Sequence, residues 1–223
     1  MADNKIYVIG ATDNIGRRLV QALLKENIPT TVYTRNPDKA RAKFGHASTL
    51  NIVKGDYEDL DAFTESITGH TRLYLMVADV HNTPEIKVAV SKIAYGSGVR
   101  QVVDVSSRGA SWPWRTSYIG HMHRLSEEGI FAIPNRGHYV ALRPSGFMTN
   151  ILWTDLPSIQ AHDSISDVTC PFLLQVFACQ VATSFGGGGG REERGWGGGG
   201  ACQHEESWRV MSATWAATSL LRF

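Results

Sequence analysis

The feature that most constrains the fold is a short apolar run near the N-terminus, followed by two glycines and a helical apolar pattern. Residues 6–9 (Ile-Tyr-Val-Ile) are typical of a buried parallel strand. Gly10 ends this run, and Gly16 opens a segment with apolar residues at helical spacing. A strand, a glycine turn and a helix N-terminus in this order cradle a pyrophosphate, because free N–H groups and the helix dipole point at the anion. The pattern therefore predicts a dinucleotide-binding turn, with an ordinary tight strand-to-helix turn as the alternative.

One residue of this turn opposes the prediction. Asp13 stands where a third glycine is expected, and a carboxylate that faces the phosphates would repel them. We therefore expect the Asp13 side chain to point away from the ligand, or the affinity to be lowered. The turn residues expected to contact the cofactor are Gly10, Thr12, Asn14, Ile15 and Gly16.

Strand and helix patterns alternate from residue 5 to about residue 152. This alternation predicts an α/β fold with a doubly wound, Rossmann-like parallel sheet. The predicted strands are 6–9, 30–34, 49–54, 72–77, 101–106 and 139–143. The predicted helices are 15–26, 37–44, 59–68, 84–97 and 118–131.

The character of the chain changes after about residue 160, so we divide it into a nucleotide-binding domain, 1–160, and a divergent tail, 161–223. Residues 186–200 contain 10 of the 22 glycines. Such a segment cannot bury enough surface to offset its backbone entropy, and it is predicted to be disordered. An arginine–glycine segment that binds nucleic acid is the alternative. The interleaved Glu192 and Glu193 favour a flexible linker or an aberrant terminus instead.

Composition excludes several classes of partner. The 22 basic and 21 acidic side chains nearly cancel, so no global field attracts nucleic acid or an anionic membrane. The three cysteines lack metal-ligand spacing, so we expect no metal site and a reducing compartment. The N-terminus does not resemble a signal peptide, and the longest apolar stretch is shorter than the roughly 20 residues of a membrane span. A cytoplasmic location is expected, without nucleic acid or membrane as a partner.

Residues that follow the second and third predicted strands bear on the choice of cofactor. An acidic residue after the second strand hydrogen-bonds the ribose 2′-hydroxyl of NAD, whereas an arginine suits a 2′-phosphate. Arg35 at this position favours NADP(H) over NAD(H), and an ordinary surface arginine is the alternative. Asp56 and the adjacent Tyr57 follow the third strand. Asp56 is placed either to contact adenine or to cap the next helix, and the sequence leaves both possibilities open.

Small residues end the fourth and fifth strands, at the edge where ligands bind in open α/β sheets. Val77 and Ala78 suit a cofactor that crosses the sheet, although they also suit an ordinary core. Ser106 could hydrogen-bond a substrate carbonyl or cap the following loop.

Five motifs in order resemble the NmrA-like branch of the atypical short-chain dehydrogenases/reductases, over about residues 5–160. They are Gly10-Ala-Thr-x-x-x-Gly16, Thr34-Arg35-Asn36, Gly55-Asp56, Gly98-Val-Arg-Gln-Val-Val-Asp-Val-Ser-Ser107 and Leu142-Arg-Pro-Ser-Gly-Phe-Met-Thr-Asn150. The resemblance implies a Rossmann fold that binds NADP(H). It also implies either reduction of quinones or other small acceptors, or a protein that only senses the redox state of the cofactor.

The resemblance also indicates candidate catalytic residues. Reductases of the typical branch use a Tyr-x-x-x-Lys pair, but Tyr118 is followed four residues later by Met122. His123 and Glu127 lie four apart on one helical face, as in some quinone-reductase-like members. His123 is therefore a candidate proton donor or nicotinamide contact, with a solvated His–Glu pair as the alternative. The catalytic candidates are His123, Tyr118 and Ser106.

The same resemblance places Phe147, Met148 and Asn150 in a substrate pocket. Where the family continues into a substrate lobe, this chain enters its glycine tract, so a truncated lobe or a disordered tail is expected. The sequence predicts an oxidoreductase that passes hydride from NADP(H) to a small carbonyl or quinone acceptor. The alternatives are a non-catalytic redox sensor with a protein partner and a truncated inactive member.

Overall fold

The computed structural model describes residues 4–144 and 160–161, together with the backbone of residues 180–184 and 192–194. Its centre is a sheet with the strand order β3-β2-β1-β4-β5-β6-β7-β8. The first six strands in chain order are parallel to one another. They are β1 (Ile6–Ile9), β2 (Thr30–Thr34), β3 (Leu50–Lys54), β4 (Arg72–Leu75), β5 (Gln101–Val105) and β6 (His138–Arg143).

Five α-helices connect these parallel strands, and a short 3₁₀ helix, Arg108–Ser111, follows β5. Every predicted strand and helix is present, and its bounds differ from the prediction by two residues or fewer. The doubly wound α/β fold is thereby confirmed. The helices are α1 (Asn14–Lys25), α2 (Pro37–Phe44), α3 (Asp61–Ile67), α4 (Thr83–Gly96) and α5 (Tyr118–Phe131).

Two short strands of the tail extend the sheet beyond β6. β7 (Gln180–Ser184) pairs antiparallel with β6, and β8 (Glu192–Arg194) pairs antiparallel with β7. No strand was predicted from the sequence at residues 180–184, and residues 192–194 form a strand within the segment 186–200 that was predicted to be disordered. Strand pairing uses backbone groups, so it does not require the apolar pattern that the prediction relied on. The rest of the predicted disordered segment, 186–200, lies outside the described residues.

Strand β1 shows how the sheet separates two cores. Ile6 and Val8 face one side and pack with residues of α1 and α2, such as Leu19 and Ala40. Tyr7 and Ile9 belong to the core on the other side, together with buried residues of α3, α4 and α5. Both faces of the sheet are therefore buried, which is why the strands read as continuous apolar runs.

The strand order defines where a ligand can enter. The chain moves outward from β1 to β2 and β3, and then crosses back to β4 on the other side of β1. In open α/β sheets, this reversal leaves a crevice outside the carboxyl ends of the two central strands. The crevice lies between the residues that follow β1 and those that follow β4.

Candidate dinucleotide site

The turn between β1 and α1 requires both of its glycines. Gly10 has a φ of +82°, and a Cβ there would lie 2.7 Å from the carbonyl oxygen of Met76. At Gly16, a Cβ would lie 2.1 Å from the carbonyl oxygen of Gly10. Only glycine permits so tight a turn, and the turn brings the first residues of α1 to the crevice.

Asp13 is the N-cap of α1. Its Oδ1 accepts a hydrogen bond of 2.7 Å from the backbone N–H of Gly16. Burial raises the pKa of the Asp13 carboxyl, while the N–H groups of Gly16 and Ile15 act to lower it. The carboxylate therefore stabilises the helix start but occupies a donor that a bound phosphate would use. The Asp13 carboxylate lies on a donor of the turn because the first-turn N–H groups attract it, so lowered affinity, the second of the two expectations for this residue, stays a prediction.

We predict opposite effects of Asp13→Gly on affinity and on stability. NADPH should bind several-fold more tightly, because a like charge is removed and the Gly16 N–H is released. The free energy of unfolding should fall by only a few tenths of a kcal/mol, since glycine is an acceptable N-cap. Fluorescence titration and urea unfolding measure the two quantities. Asp13→Asn retains a capping oxygen without the charge, and weaker NADPH binding in both variants would contradict this account.

The other turn residues surround this cap. Thr12 is half-buried, and its carbonyl oxygen accepts a hydrogen bond of 2.5 Å from the Lys43 ammonium. Asn14 is exposed at the first position of α1, whereas Ile15 packs against the core beneath the turn. Of these side chains, that of Asn14 is the most open to a ligand, while Ile15 offers its backbone N–H.

Arg35 follows β2 and has an exposed side chain. Its positive charge acts on the half-buried Tyr57, where it partly opposes the burial that raises the pKa of the Tyr57 hydroxyl to about 12. Arg35 and Tyr57 therefore lie on the same side of the crevice, at the ends of two neighbouring strands. A guanidinium at this place is available to a phosphate ester.

Asp56 does not cap the next helix. Its Oδ1 accepts a hydrogen bond of 2.6 Å from the N–H of Tyr57, and its carbonyl oxygen accepts one of 2.7 Å from the Tyr33 hydroxyl. Helix α3 begins at Asp61, after Leu60 at the N-cap position. The helix-cap alternative was wrong because the chain makes another turn before α3, and the adenine contact remains a prediction.

The residues after β4 form the opposite side of the crevice. The backbone N–H of Met76 donates to the carbonyl oxygen of Ile9, at 3.3 Å. Val77 is buried, whereas Ala78 is exposed. Ala78 can therefore contact a ligand directly, whereas the Val77 side chain is part of the core.

Ser106 belongs to a buried ion-pair cluster. Its hydroxyl donates a hydrogen bond of 2.5 Å to Oε1 of Glu127. The Arg143 guanidinium donates to both oxygens of the same carboxylate, at 2.9 and 2.5 Å. All three residues are 3% exposed or less. Glu127 is therefore neither solvated nor bonded to His123, and Ser106 has already committed its proton.

A second buried cluster lies beside the first. The Lys87 ammonium is 2.6 Å from Oδ1 of Asp104 and donates to the carbonyl oxygen of Val105 at 2.7 Å. The Tyr139 hydroxyl donates to Oδ2 of Asp104 at 2.9 Å. Burial raises the pKa of Asp104, while Lys87 and the Tyr139 hydrogen bond act to lower it. The cluster thus places a lysine of α4 in the interior.

His123 contacts this lysine rather than Glu127. The distance between His123 Nδ1 and Lys87 Nζ is 3.3 Å. Burial and the neighbouring ammonium lower the pKa of His123 to about 3. At neutral pH the imidazole is uncharged, so it offers no imidazolium proton.

This lowered pKa predicts a loss of stability in acid. A histidine whose folded-state pKa lies below its unfolded value of 6.5 contributes stability that is present above 6.5 and declines as the pH falls toward 3. At pH 5 the loss should be about 2 kcal/mol relative to pH 7.5. Urea unfolding at the two pH values measures this loss of unfolding free energy. His123→Gln should reduce the pH dependence, and an unchanged difference in that variant would contradict the assignment.

Tyr118 lies at the surface, at the first position of α5. Its hydroxyl is 2.9 Å from His81 Nδ1, and the two ring centroids are 5.6 Å apart. The side chain of Tyr118 is 53% exposed, and His81 is also exposed. The pair joins the loop after β4 to the start of α5.

The remaining candidate residues lie elsewhere. Phe147, Met148 and Asn150 fall outside the described residues. Within the described ranges, no group of three His, Cys, Asp or Glu side chains could hold a metal ion. In the same part of the chain, no helix is both long and apolar enough to cross a membrane.

Sequence reasoning missed Lys87, Asp104 and His81. Two signals were available, since Asp104 interrupts an apolar strand and Lys87 shares the buried face of α4 with Val90 and Ala94. A charged residue at a core position indicates a buried partner. Nothing in the sequence pattern around His81 indicates its contact with Tyr118.

The fold and the turn define a dinucleotide-binding protein of the Rossmann-like α/β class. The family model for NAD(P)H-binding proteins matches residues 10–157, and the chain belongs to this family. The family resemblance inferred from the motifs is therefore confirmed at the level of NAD(P)H-binding proteins. No curated protein matches the chain.

Solved structures share the fold at low sequence identity. A triphenylmethane reductase from Citrobacter sp., complexed with NADP(H), is 19% identical with a TM-score of 0.56, over 71% of this chain and 55% of that one. An NADPH-dependent quinone oxidoreductase from Escherichia coli is 23% identical with a TM-score of 0.60, over 71% and 54%. A nucleoside-diphosphate-sugar epimerase from Staphylococcus aureus is 15% identical with a TM-score of 0.57, over 70% and 55%. The chain spans about half the length of these structures.

Proposed function

We propose that this protein is an NmrA-like reductase that prefers NADP(H) and passes hydride to a small carbonyl or quinone acceptor. The observation that carries the proposal is the Gly10–Gly16 turn at the crevice, with the exposed Arg35 at the end of the neighbouring strand. The similar structures include an NADPH-dependent quinone oxidoreductase and a triphenylmethane reductase complexed with NADP(H), which supports the same class of reaction. A cytoplasmic location, and the absence of nucleic acid and membrane partners, are part of the proposal.

The residues on both sides of the crevice fit a dinucleotide phosphate. The N–H groups at the start of α1 would hold the pyrophosphate, Arg35 the 2′-phosphate, and Asp56 with Tyr57 the adenosine end. Ala78 leaves space where the nicotinamide end would cross β4. When bound, the cofactor would supply the hydride. The chain would bind and orient the cofactor and the acceptor and exclude water from them. The charge of Asp13 opposes this arrangement, because its carboxylate competes for the Gly16 N–H.

A redox sensor is the second candidate. Met122 stands where reductases of the typical branch have their lysine, Ser106 is engaged in a buried cluster, and the half-buried His123 faces the Lys87 ammonium. A protein that binds NADP(H) without turnover would change its affinity for a protein partner instead. A third candidate is an inactive member of the family.

One titration series separates these candidates. The purified chain is titrated with NADPH and with NADH, and benzoquinone and an aromatic aldehyde are then added to the NADPH complex. We expect tighter binding of NADPH than of NADH, followed by oxidation of NADPH. Binding without oxidation would select the sensor, and no binding of either cofactor would select the inactive member.

Arg35→Ala tests the cofactor preference. A charge-assisted contact to the 2′-phosphate is worth roughly 1.5–3 kcal/mol, so NADPH binding should weaken about tenfold or more. NADH lacks this phosphate, so its affinity should change little. Fluorescence titration with both cofactors measures the ratio. Lys39→Ala, at an exposed position of α2, is the matched control. Equal losses for NADPH and NADH in Arg35→Ala would contradict the assignment.

A further inference from the structure

The Lys43 ammonium lies against the Gly10–Gly16 turn, although Lys43 belongs to α2. Its Nζ donates a hydrogen bond of 2.5 Å to the carbonyl oxygen of Thr12, the residue before the Asp13 cap. We propose that Lys43 is a further residue of the dinucleotide site and supplies the cation that offsets the Asp13 carboxylate when a pyrophosphate binds. The inference rests on the proposed function, in which the N–H groups at the start of α1 hold the pyrophosphate.

Two negative groups of the turn oppose an anionic ligand. The Asp13 carboxylate accepts from the Gly16 N–H at 2.7 Å, and the Thr12 carbonyl oxygen is the negative end of a peptide dipole. A pyrophosphate diester is itself a dianion, so a carboxylate on the same turn repels it. The N–H groups and the dipole of α1 favour an anion, but they already hold the carboxylate. A cation beside the turn therefore restores an attraction that Asp13 removes.

The packing of α2 brings Lys43 to the turn. Ala40 of α2 is buried in the core that also contains Ala11 of the turn, and Phe44 packs against the same core. Lys43 lies three residues after Ala40, so the two side chains are neighbours on the helix surface. The hydrogen bond to Thr12 joins residues that are 31 positions apart in the chain. The ammonium is therefore held at the turn by the tertiary structure.

The charge of Lys43 acts on Asp13 as well as on the Thr12 carbonyl group. Burial raises the pKa of the Asp13 carboxyl, and the Lys43 ammonium acts to lower it. Lys43 is exposed, so an anion from solvent can approach its ammonium. An ammonium has three N–H donors, and the contact with Thr12 uses one of them. The others are available to a phosphate oxygen.

Lys43 and Arg35 are assigned to different parts of the cofactor. Burial raises the pKa of the Tyr57 hydroxyl to about 12, while Arg35 acts to lower it and Asp13 acts to raise it, so Tyr57 lies within reach of both charges. Arg35 is assigned to the 2′-phosphate, which NADP(H) carries and NAD(H) lacks. Lys43 is assigned to the pyrophosphate, which both cofactors contain. The two assignments therefore predict different patterns of loss.

The experiment measures the Kd of NADPH and of NADH by fluorescence titration in the full chain and its variants. Lys43→Met should weaken both cofactors equally, by about fivefold, the upper range for an exposed charge pair. Adding Asp13→Asn should return both Kd values to within about twofold of the unsubstituted protein, because the lost attraction and the lost repulsion cancel. Lys43→Arg keeps the charge and should bind both cofactors nearly as the unsubstituted protein does.

Lys25→Met is the matched control. It removes the same charge from an exposed position at the other end of α1, so both Kd values should stay unchanged. A readout without cofactor tests the charge offset itself. In ¹³C NMR titration of the carboxyl groups, Lys43→Met should raise the pKa of Asp13 further, whereas Lys25→Met should leave it in place.

The outcomes separate this inference from the proposed function. Unchanged Kd values in Lys43→Met would overturn the role of Lys43 while the dinucleotide site stands. A loss confined to NADPH would assign Lys43 to the 2′-phosphate and overturn the pyrophosphate assignment. Equal losses in Lys43→Met and Lys43→Arg would show a structural role and also overturn it. If the unsubstituted protein binds neither cofactor, both proposals fail. If it binds NADPH and NADH equally and Lys43→Met weakens both, the NADP(H) preference fails and the inference stands.

Discussion

Replacing Glu127 by leucine is expected to lower the free energy of unfolding by about 3–5 kcal/mol. The Glu127 carboxylate accepts two hydrogen bonds from Arg143 and one from Ser106, and it is 1% exposed. Its removal leaves a buried guanidinium without its bidentate partner, and the desolvation of that charge is no longer offset. Urea unfolding followed by circular dichroism measures the change.

The neighbouring residue provides a matched control. Glu128 lies on the same helix, but its side chain is 51% exposed and its pair with Arg124 spans 3.7 Å. Because surface ion pairs contribute little, Glu128→Leu should change the unfolding free energy by less than about 0.5 kcal/mol. Equal effects at the two positions would show that the buried cluster does not stabilise the fold as described.

Replacing Lys87 by methionine is expected to cost about 3–5 kcal/mol at neutral pH. Lys87 and Asp104 have no exposed side-chain surface, so the variant leaves a buried carboxylate with only the Tyr139 hydroxyl. Burial already raises the pKa of Asp104, and loss of Lys87 removes the largest cause that lowers it. Below its unfolded-state pKa of 3.8, such a carboxyl group is protonated in both the folded and the unfolded state, so it costs no stability. Because its folded-state pKa is raised, it destabilises the fold as the pH rises above that value. The difference from the unsubstituted protein should therefore shrink toward pH 4.

Two further variants make this prediction specific. Lys92→Met, at an exposed position of the same helix, should be nearly neutral. Asp104→Asn added to Lys87→Met should recover at least half of the loss, because it removes the unpaired charge and retains a partner for Tyr139. Additive losses in the double variant would contradict the ion pair. Removal of Lys87 also takes a cation away from His123, so protonation of His123 in acid costs the variant less stability. This effect likewise makes the difference from the unsubstituted protein smaller toward pH 4.

The fold was largely predictable because its signals are local. The strand at Ile6–Ile9 and the helices at Pro37–Phe44 and Tyr118–Phe131 were each predicted with the bounds observed. Apolar period, glycine turns and capping residues act over a few neighbours, and each strongly biases the backbone. The pairing of residues 192–194 was not predictable in this way, since its partner strand supplies the ordering contacts.

The candidate site was only partly predictable. The glycine turn and Arg35 follow from the order of strands, because parallel strands end at one edge of the sheet. The interpretation of Glu127 as a partner of His123 was wrong, although their helical spacing suggested it. Their side chains instead meet Arg143 and Lys87, which other elements bring closer.

The sequence by itself determined which segments become strands and helices, and with them the position of the nucleotide turn. Only the tertiary structure decided the partners of the charged side chains, including a contact between His123 and Lys87 across 36 residues and one between Tyr118 and His81 across 37. Backbone conformation is set mainly by neighbours in the chain. Ionic and hydrogen-bond partners are chosen by proximity and shared burial, which exist only after the helices have packed against the sheet.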